Sequence, residues 1–494
     1  MIWFILSLFL SLESNAHSFQ FEELAKYIDS HEEEYVEILR DWVAVESVST
    51  DVQKRPDVER MMEMTAEKLK NMQGKVELVD VGQQELPDGT TIPLPKVVTA
   101  QFGSDSSKRT VCIYGHVDVQ PASKEDGWAT EPYNLTDLNG NLYGRGASDN
   151  KAPVLAWIHT VEAYQKLGIE LPVNVKFIIE GMEETGSDGL EAMVKVQKDS
   201  FFADVDYIVI SDCGWLSRRP ALTYGTRGNC YFHAAVRGLP GGPKEDLHSG
   251  VHGGTVIEPM TDLIGILSKS KKVGQILIPG ICEAVSPMTE KERATYESIE
   301  FDMEDYRQNI GVERLMHSNK VELLAHRWRQ PTVSIHGIEG AFSDPGSKTV
   351  IPARVIAKFS IRQVPDMDPK EVEKQVKEHL EAAFAKRGTP NKLKVTMVLG
   401  AKPWLADPQH LLYEAGKAAV KTVFNVEPDL VREGGTIPIA RTFQEVVDKP
   451  IIMLPIGGFD DGLHSQNEKM SRYNYIEGTK LFAAYLHEVS QMKD

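Results

Sequence analysis

The chain has 494 residues, a formal net charge of −18, 26% charged and 41% hydrophobic residues. That length exceeds what one hydrophobic core usually organises, so two domains with ample core are expected. The acidity argues against nucleic acid or an anionic membrane as the main partner, and beyond the first residues no apolar run approaches membrane-spanning length.

Taken in order, the chain opens on an almost continuous apolar run, Ile2 to Leu12, too short to span a bilayer. Ser14-Asn15-Ala16 follows, with small residues at the minus-three and minus-one places of a signal-peptidase site. Residues 1–16 are therefore predicted to be a cleaved signal peptide of a secreted, extracellular chain. The glycosylation sequon Asn134-Leu135-Thr136 fits that setting. Only four cysteines occur, and a core this large needs no disulfide framework.

Residues 19–45 read as an amphipathic helix pair, with Leu24, Ile28, Tyr35, Ile38, Leu39 and Trp42 at three-to-four spacing, and Glu59 to Met72 as a second helical stretch. Thr110 to Gly115 is an apolar, β-branched strand that delivers His116 and Asp118 at its carboxyl end. The two side chains face the same way if the extended form persists. A metal-binding imidazole needs its second nitrogen held by an acceptor, and Asp118 is suited to that. Asp149 lies in a Gly-Arg-Gly-Ala-Ser turn just before a helical pattern. Val173 to Ile179 is a strand running into Glu183-Glu184, Val205 to Ile210 one running into Asp212, and Pro450 to Pro455 one followed by Asp460-Asp461-Gly462-Leu463-His464. In open α/β sheets ligands bind beyond the carboxyl ends of the strands. Five candidate metal ligands, His116, Asp149, Glu184, Asp212 and His464, can thus converge on one edge. Cys213, next to Asp212, is a conceivable soft ligand, but a set of carboxylates and imidazoles uses hard and borderline donors throughout.

After Tyr224-Gly225-Thr226-Arg227-Gly228 the texture changes. Strands over 230–236, 332–336, 355–363 and 392–399, with helices over 255–267 and 369–386, suggest a compact α+β sandwich of its own. Residues 272–330 are extra, partly helical and highly charged. A helix over 408–424 then returns to the first sheet, which still lacks the strand leading to His464. The expected fold is α/β: a mostly parallel sheet flanked by helices over 17–227 and 404–494, with an inserted lid and dimerisation domain over 228–403.

The set YGHVDVQP, LYGRGASDNKAP, IIEGMEETGS, DLHSG, REGGTIP and DDGLHSQNE, together with Asp212 at its strand end, resembles the dinuclear metallopeptidases that include carnosinases, aminoacylase and glutamate carboxypeptidase. The match covers nearly the whole chain after the leader and most resembles the carnosine dipeptidases. The resemblance implies hydrolysis of dipeptides such as β-Ala-His and other Xaa-His, with broad-specificity dipeptidase and N-acyl amino acid hydrolase as alternatives on the same fold. A binding protein without activity is disfavoured by retention of all five ligands, Glu183 and Asp118.

By the same resemblance, two divalent ions are held per subunit, zinc foremost, with manganese or cobalt also suited to two His, two Asp and one Glu. Asp149 bridges them, His116 and Asp212 complete one, and Glu184 and His464 complete the other. Two such ions sharing a carboxylate and a water polarise the scissile carbonyl and lower the pKa of that water. Glu183 is the implied general base, with Asp118 as the other catalytic group. His248 and Thr349 are implied to reach the site from the partner of a homodimer, His248 stabilising the oxyanion. Arg362 is implied to pair with the substrate's terminal carboxylate, where a planar fork suits a bidentate contact, with Thr436 as a further contact. Cys213-Gly214 lacks the larger residues associated with carnosinases at that place, which leaves side-chain selectivity open.

Overall fold

The structure, a computed structural model, describes residues 20–86, 89–272 and 275–493; the predicted leader lies outside them. A nine-stranded sheet forms the larger layer. Its order runs Lys75–Val79, Val97–Phe102, Asn174–Glu180, Thr110–His116, Tyr207–Ile210, Ile451–Met453, Ala221–Thr226, Trp404–Leu405, with Asp429–Glu433 also pairing to Ala221–Thr226. The four central strands are parallel, while the flanking pairings are mostly antiparallel, so the sheet is mixed around the parallel centre expected from sequence. Those central strands are buried along their whole length, which is why they read as continuous apolar runs rather than alternating ones.

Helices cover both faces. Ala152–Leu167 starts with a proline in its first turn and ends on Gly168 at φ 66°, a left-handed cap that glycine adopts without strain. It is buried on nearly every side because Arg472–Gln491 packs over it, Trp157 stacking on Phe482 at 3.9 Å. The first expected helix pair is present as residues 20–30 and Glu32–Val43, and the second stretch starts earlier than its periodicity indicated, at Arg55, with Pro56 in the first turn.

The inserted sheet has four antiparallel strands in the order Thr332–Glu339, Arg354–Gln363, Gly228–Arg237, Lys392–Ala401. One face packs on helices Pro259–Leu267 and Pro369–Ala385 through Phe232, Phe359, Leu263, Ile266, Val376 and Leu380. A two-stranded ribbon, Leu247–His248 against Val350–Ile351, extends from it. Residues 290–328, which sequence left as an extra charged segment, form three short helices. Tyr296, Leu324 and Trp328 from them pack on Trp215, Leu216, Ala221 and Val431 of the larger layer, so this part of the insertion is built onto the catalytic sheet. Among the described residues all four cysteines are free, and no helix is long and apolar enough to cross a membrane.

Candidate metal centre

All four parallel strands end at one edge, and the loops beyond them carry the charged groups. His116 ends its own strand with 0% of its side chain exposed; its Nδ1 lies 3.3 Å from Asp118 Oδ1 and its Nε2 lies 3.1 Å from both Asp149 Oδ1 and Asp212 Oδ1. The other oxygen of Asp149, Oδ2, lies 3.1 Å from His464 Nε2, which is also 3.1 Å from Glu184 Oε2. Asp149 thus stands between two trios, His116/Glu183/Asp212 and Asp149/Glu184/His464, in each of which the ligand atoms lie within 4.8 Å of one another. The five sequence-predicted ligands and Glu183 are brought together here. Cys213 belongs to neither trio; its thiol donates to Thr223 Oγ1 at 3.6 Å.

Glu183 and Glu184 do not extend the strand, as their neighbourhood to Ile179 had suggested. The strand stops at Glu180, and Glu183–Thr185 is a 3₁₀ turn closed by Gly186 at φ 102°. Three residues per turn swing successive side chains by about 120°, which still sends the two carboxylates to different trios. Asp118 pins that turn, accepting the backbone N–H of Glu183 on Oδ1 at 3.2 Å and of Glu184 on Oδ2 at 3.0 Å. It therefore orients both His116 and the glutamate pair, a positioning role. Gln120 Nε2 donates to Glu184 Oε2 at 2.8 Å.

Sequence reasoning missed Glu468, which does the equivalent for Asp149. Fully buried, it accepts from the backbone N–H groups of Gly146, Ser148 and Asp149, each at 3.0 Å, and from Arg145 Nη1 at 2.8 Å. Asp461 joins in, accepting Ser148 Oγ at 2.7 Å. The Asp149 turn and the His464 loop are thereby tied together. The only signal in the sequence was a further carboxylate four residues after His464.

Burial, then neighbouring Asp212, pushes the Glu183 carboxyl well above its usual range, and burial followed by Asp149 raises Glu184. Burial also raises Asp212. For His464 burial works the other way, but the Asp149 and Glu184 carboxylates prevail and lift it to about 11. Four buried carboxylates this close together demand positive charge. Divalent cations would satisfy the same carboxylates while each imidazole binds through its lone pair, and the all-oxygen-and-nitrogen donor set fits borderline cations such as zinc or manganese.

Arg362 and Thr436 border the same cleft. Arg362 Nη1 donates to Thr436 Oγ1 at 2.5 Å, and burial lowers the guanidinium's pKa despite the raising effect of the neighbouring Glu433 and Glu183. His248 and Thr349 are elsewhere: they adjoin each other on the exposed ribbon, where Ser249 N–H donates to Thr349 O at 3.1 Å and Gly250 N–H to His248 Nδ1 at 3.0 Å. Asn134 is exposed on a turn.

Comparison with known proteins agrees with this geometry. The chain is 53% identical to the Beta-Ala-His dipeptidase of Rattus norvegicus over 483 residues, 97% of each chain. It is 46% identical to the Cys-Gly metallodipeptidase dug1 of Schizosaccharomyces pombe over 474 residues, 95% of this chain and 98% of the other. The crystal structure of human carnosine dipeptidase 1 superposes with a TM-score of 0.91 at 52% identity, covering 96% of this chain and 99% of that one. Residues 112–488 match the description of peptidase family M20/M25/M40, and with the two ligand trios in place at the strand ends, the chain belongs to that family of metallopeptidases.

Proposed function

We propose that the protein is a dipeptidase holding two divalent ions per subunit, zinc or manganese, which cleaves β-Ala-His and other Xaa-His dipeptides. The observation that carries this reading is Asp149, whose two oxygens face the two trios separately. When bound, divalent ions held by these residues would polarise the scissile carbonyl and lower the pKa of a bound water. The chain's own residues do the rest. Glu183 takes the water's proton and returns it to the leaving amine; a carboxyl raised by burial suits both directions of that transfer. Arg362 receives the substrate's terminal carboxylate with Thr436 beside it. His248 and Thr349 of the partner subunit of a homodimer complete the site, His248 donating to the developing oxyanion. Their exposure on a ribbon apart from the cluster supports supply in trans. The predicted leader and the exposed Asn134 support a secreted, glycosylated chain.

The S. pombe relative, a Cys-Gly dipeptidase by name, favours a broader second reading. Purified protein stripped of metal, reloaded with zinc or manganese and assayed on β-Ala-His, Gly-His, Cys-Gly and N-acetyl amino acids separates the two. Turnover confined to Xaa-His supports the narrow reading, turnover of Cys-Gly at comparable kcat/KM supports the broad one, and hydrolysis of the N-acetyl substrates alone would refute both.

A further inference from the structure

Arg227 is the single residue between the last long strand of the first sheet region, Ala221–Thr226, and the first strand of the inserted sheet, Gly228–Arg237. Its backbone N–H donates to Glu433 O at 3.2 Å. Its side chain reaches two other elements: Nε donates to Gly434 O at 3.0 Å, and Nη1 donates to Thr332 Oγ1 at 3.0 Å and to Gln330 O at 3.4 Å. Gly434 opens the loop that carries Thr436. Thr332 begins the edge strand of the inserted sheet and stands directly opposite Arg362 in antiparallel register. Arg362 in turn donates to Thr436. The contacts therefore close a circuit that runs Arg227, Thr332, Arg362, Thr436, Gly434 and back. The fit is tight: a Cβ added at Gly434 would stand 3.1 Å from Arg227 Nη2 and 3.1 Å from Arg327 O, so the guanidinium lies against bare backbone.

Charge adds to the geometry. Burial, and then the Arg362 guanidinium, lower Arg227 to about 10, so both stay charged at neutral pH, with Glu433 as the carboxylate near them. One Glu433 oxygen is held by the N–H groups of Gly434 at 2.5 Å and Gly435 at 3.1 Å. Three guanidiniums, Arg227, Arg362 and Arg327, against the carboxyls of Glu433 and Glu183 leave this corner net positive, as the binding of a terminal carboxylate requires.

We propose that Arg227 is a positioning residue for the terminal-carboxylate site: it locks the Gly434–Thr436 loop to the Thr332 end of the inserted sheet, so that Arg362 and Thr436 present their donors as a pre-set pair. The inference rests on Arg362 taking the substrate's carboxylate. A planar fork serves acceptors on two elements at once, which a lysine's point charge on a flexible stem does not. Because the circuit bypasses both trios, Arg227 governs recognition of the carboxylate and leaves the chemistry at the cluster alone.

The test compares β-Ala-His with its C-terminal amide, using full-length, metal-loaded protein. In Arg227→Lys, KM for the acid rises about tenfold, the scale of one lost hydrogen bond to a charged group, while its kcat stays within about twofold. The kcat/KM of the amide is nearly unchanged, so the preference for acid over amide falls about tenfold. Thr332→Val removes only the hydroxyl acceptor and lowers the preference less, in the same direction; it serves also if Arg227→Lys fails to fold. Arg362→Gln, measured alongside, abolishes the preference. If Arg362→Gln does so while Arg227→Lys or Thr332→Val leaves it intact, Arg227 has no positioning role and the carboxylate assignment stands. Equal losses on acid and amide in Arg227→Lys likewise overturn the inference, as a general structural defect. If Arg362→Gln leaves the preference unchanged, the carboxylate assignment itself falls, and the inference with it.

Discussion

The metal-ligand edge and the His248 ribbon are built on opposite principles. At the edge, every functional side chain except the exposed His464 is buried or half-buried, and the turns that carry them are held by other side chains: Asp118 holds the Glu183 turn, Glu468 and Asp461 hold the Asp149 turn, and Gln120 holds Glu184. On the ribbon, His248 ends a two-residue strand and Thr349 directly precedes the other, both exposed and joined mainly by backbone contacts. A cluster of like charges has to be pre-set, since any slack would let the carboxylates spread apart. A group proposed to act on a neighbouring subunit has to stand clear of its own core. Under that proposal, rigidity and exposure mark two kinds of functional residue, and burial by itself is no guide to which residues work.

The harshest test of the edge is Asp149→Ala. Among the described residues Asp149 is the one carboxylate whose two oxygens reach an imidazole of each trio, so metal content and hydrolysis both fall below detection by elemental analysis and dipeptide assay. Full occupancy at both trios would sink the bridging role. Glu183→Gln comes next: metal content is retained while kcat drops by roughly 10²–10⁴-fold, because an amide cannot take the proton.

On the ribbon, His248→Ala is expected to cost about 10²–10³ in kcat without touching metal content. Co-expressed with the Glu183→Gln chain it should recover activity, since one site of a mixed dimer then holds both intact residues. Mixed dimers no more active than either parent would mean that His248 acts in its own chain or not at all.

Glu468→Gln should cost less than either set of variants. Its amide cannot accept from all of Glu468's present donors, so metal affinity by chelator competition falls about 10–100-fold, and activity returns at saturating metal. Unchanged affinity would reduce Glu468 to a purely structural group.

The smallest effect concerns the core beneath the edge. His159, with 0% of its side chain exposed, stacked on Tyr35 at 3.8 Å and 3.1 Å from the Tyr475 hydroxyl, is lowered to about 4, chiefly by burial. Its folded value lies below the unfolded 6.5, so the unfolded chain binds the extra proton. The stability it contributes is complete above pH 6.5 and is lost as pH falls towards 4, on the order of 3 kcal/mol in all. Urea melts of metal-free protein should show His159→Gln flattening that slope; equal slopes in both proteins would count against it.

What the sequence determined by itself was local. Continuous apolar runs identified the four central strands, and residues at or beyond their carboxyl ends, with Asp149 from the turn before a helix, gave the five candidate ligands and Glu183, because a parallel strand must be buried and its carboxyl end must open to a cleft. Motifs of adjacent residues such as His116-Val117-Asp118 carried their own geometry. What only the tertiary structure decided involved partners far apart along the chain. Glu183 and Glu184 lie on a 3₁₀ turn, not on a strand, because Asp118, 65 and 66 residues away, captures their N–H groups. Glu468 acts on a turn 319 to 323 residues before it. The helices over 290–328 bury Tyr296 and Trp328 on the first sheet instead of staying with the insertion, and Arg227 finds Thr332 and Gly434 at separations of 105 and 207. Periodicity reports which face of an element is buried. It does not say which distant backbone groups a buried carboxylate or guanidinium will satisfy, because that is set by how the sheet and the insertion close on each other.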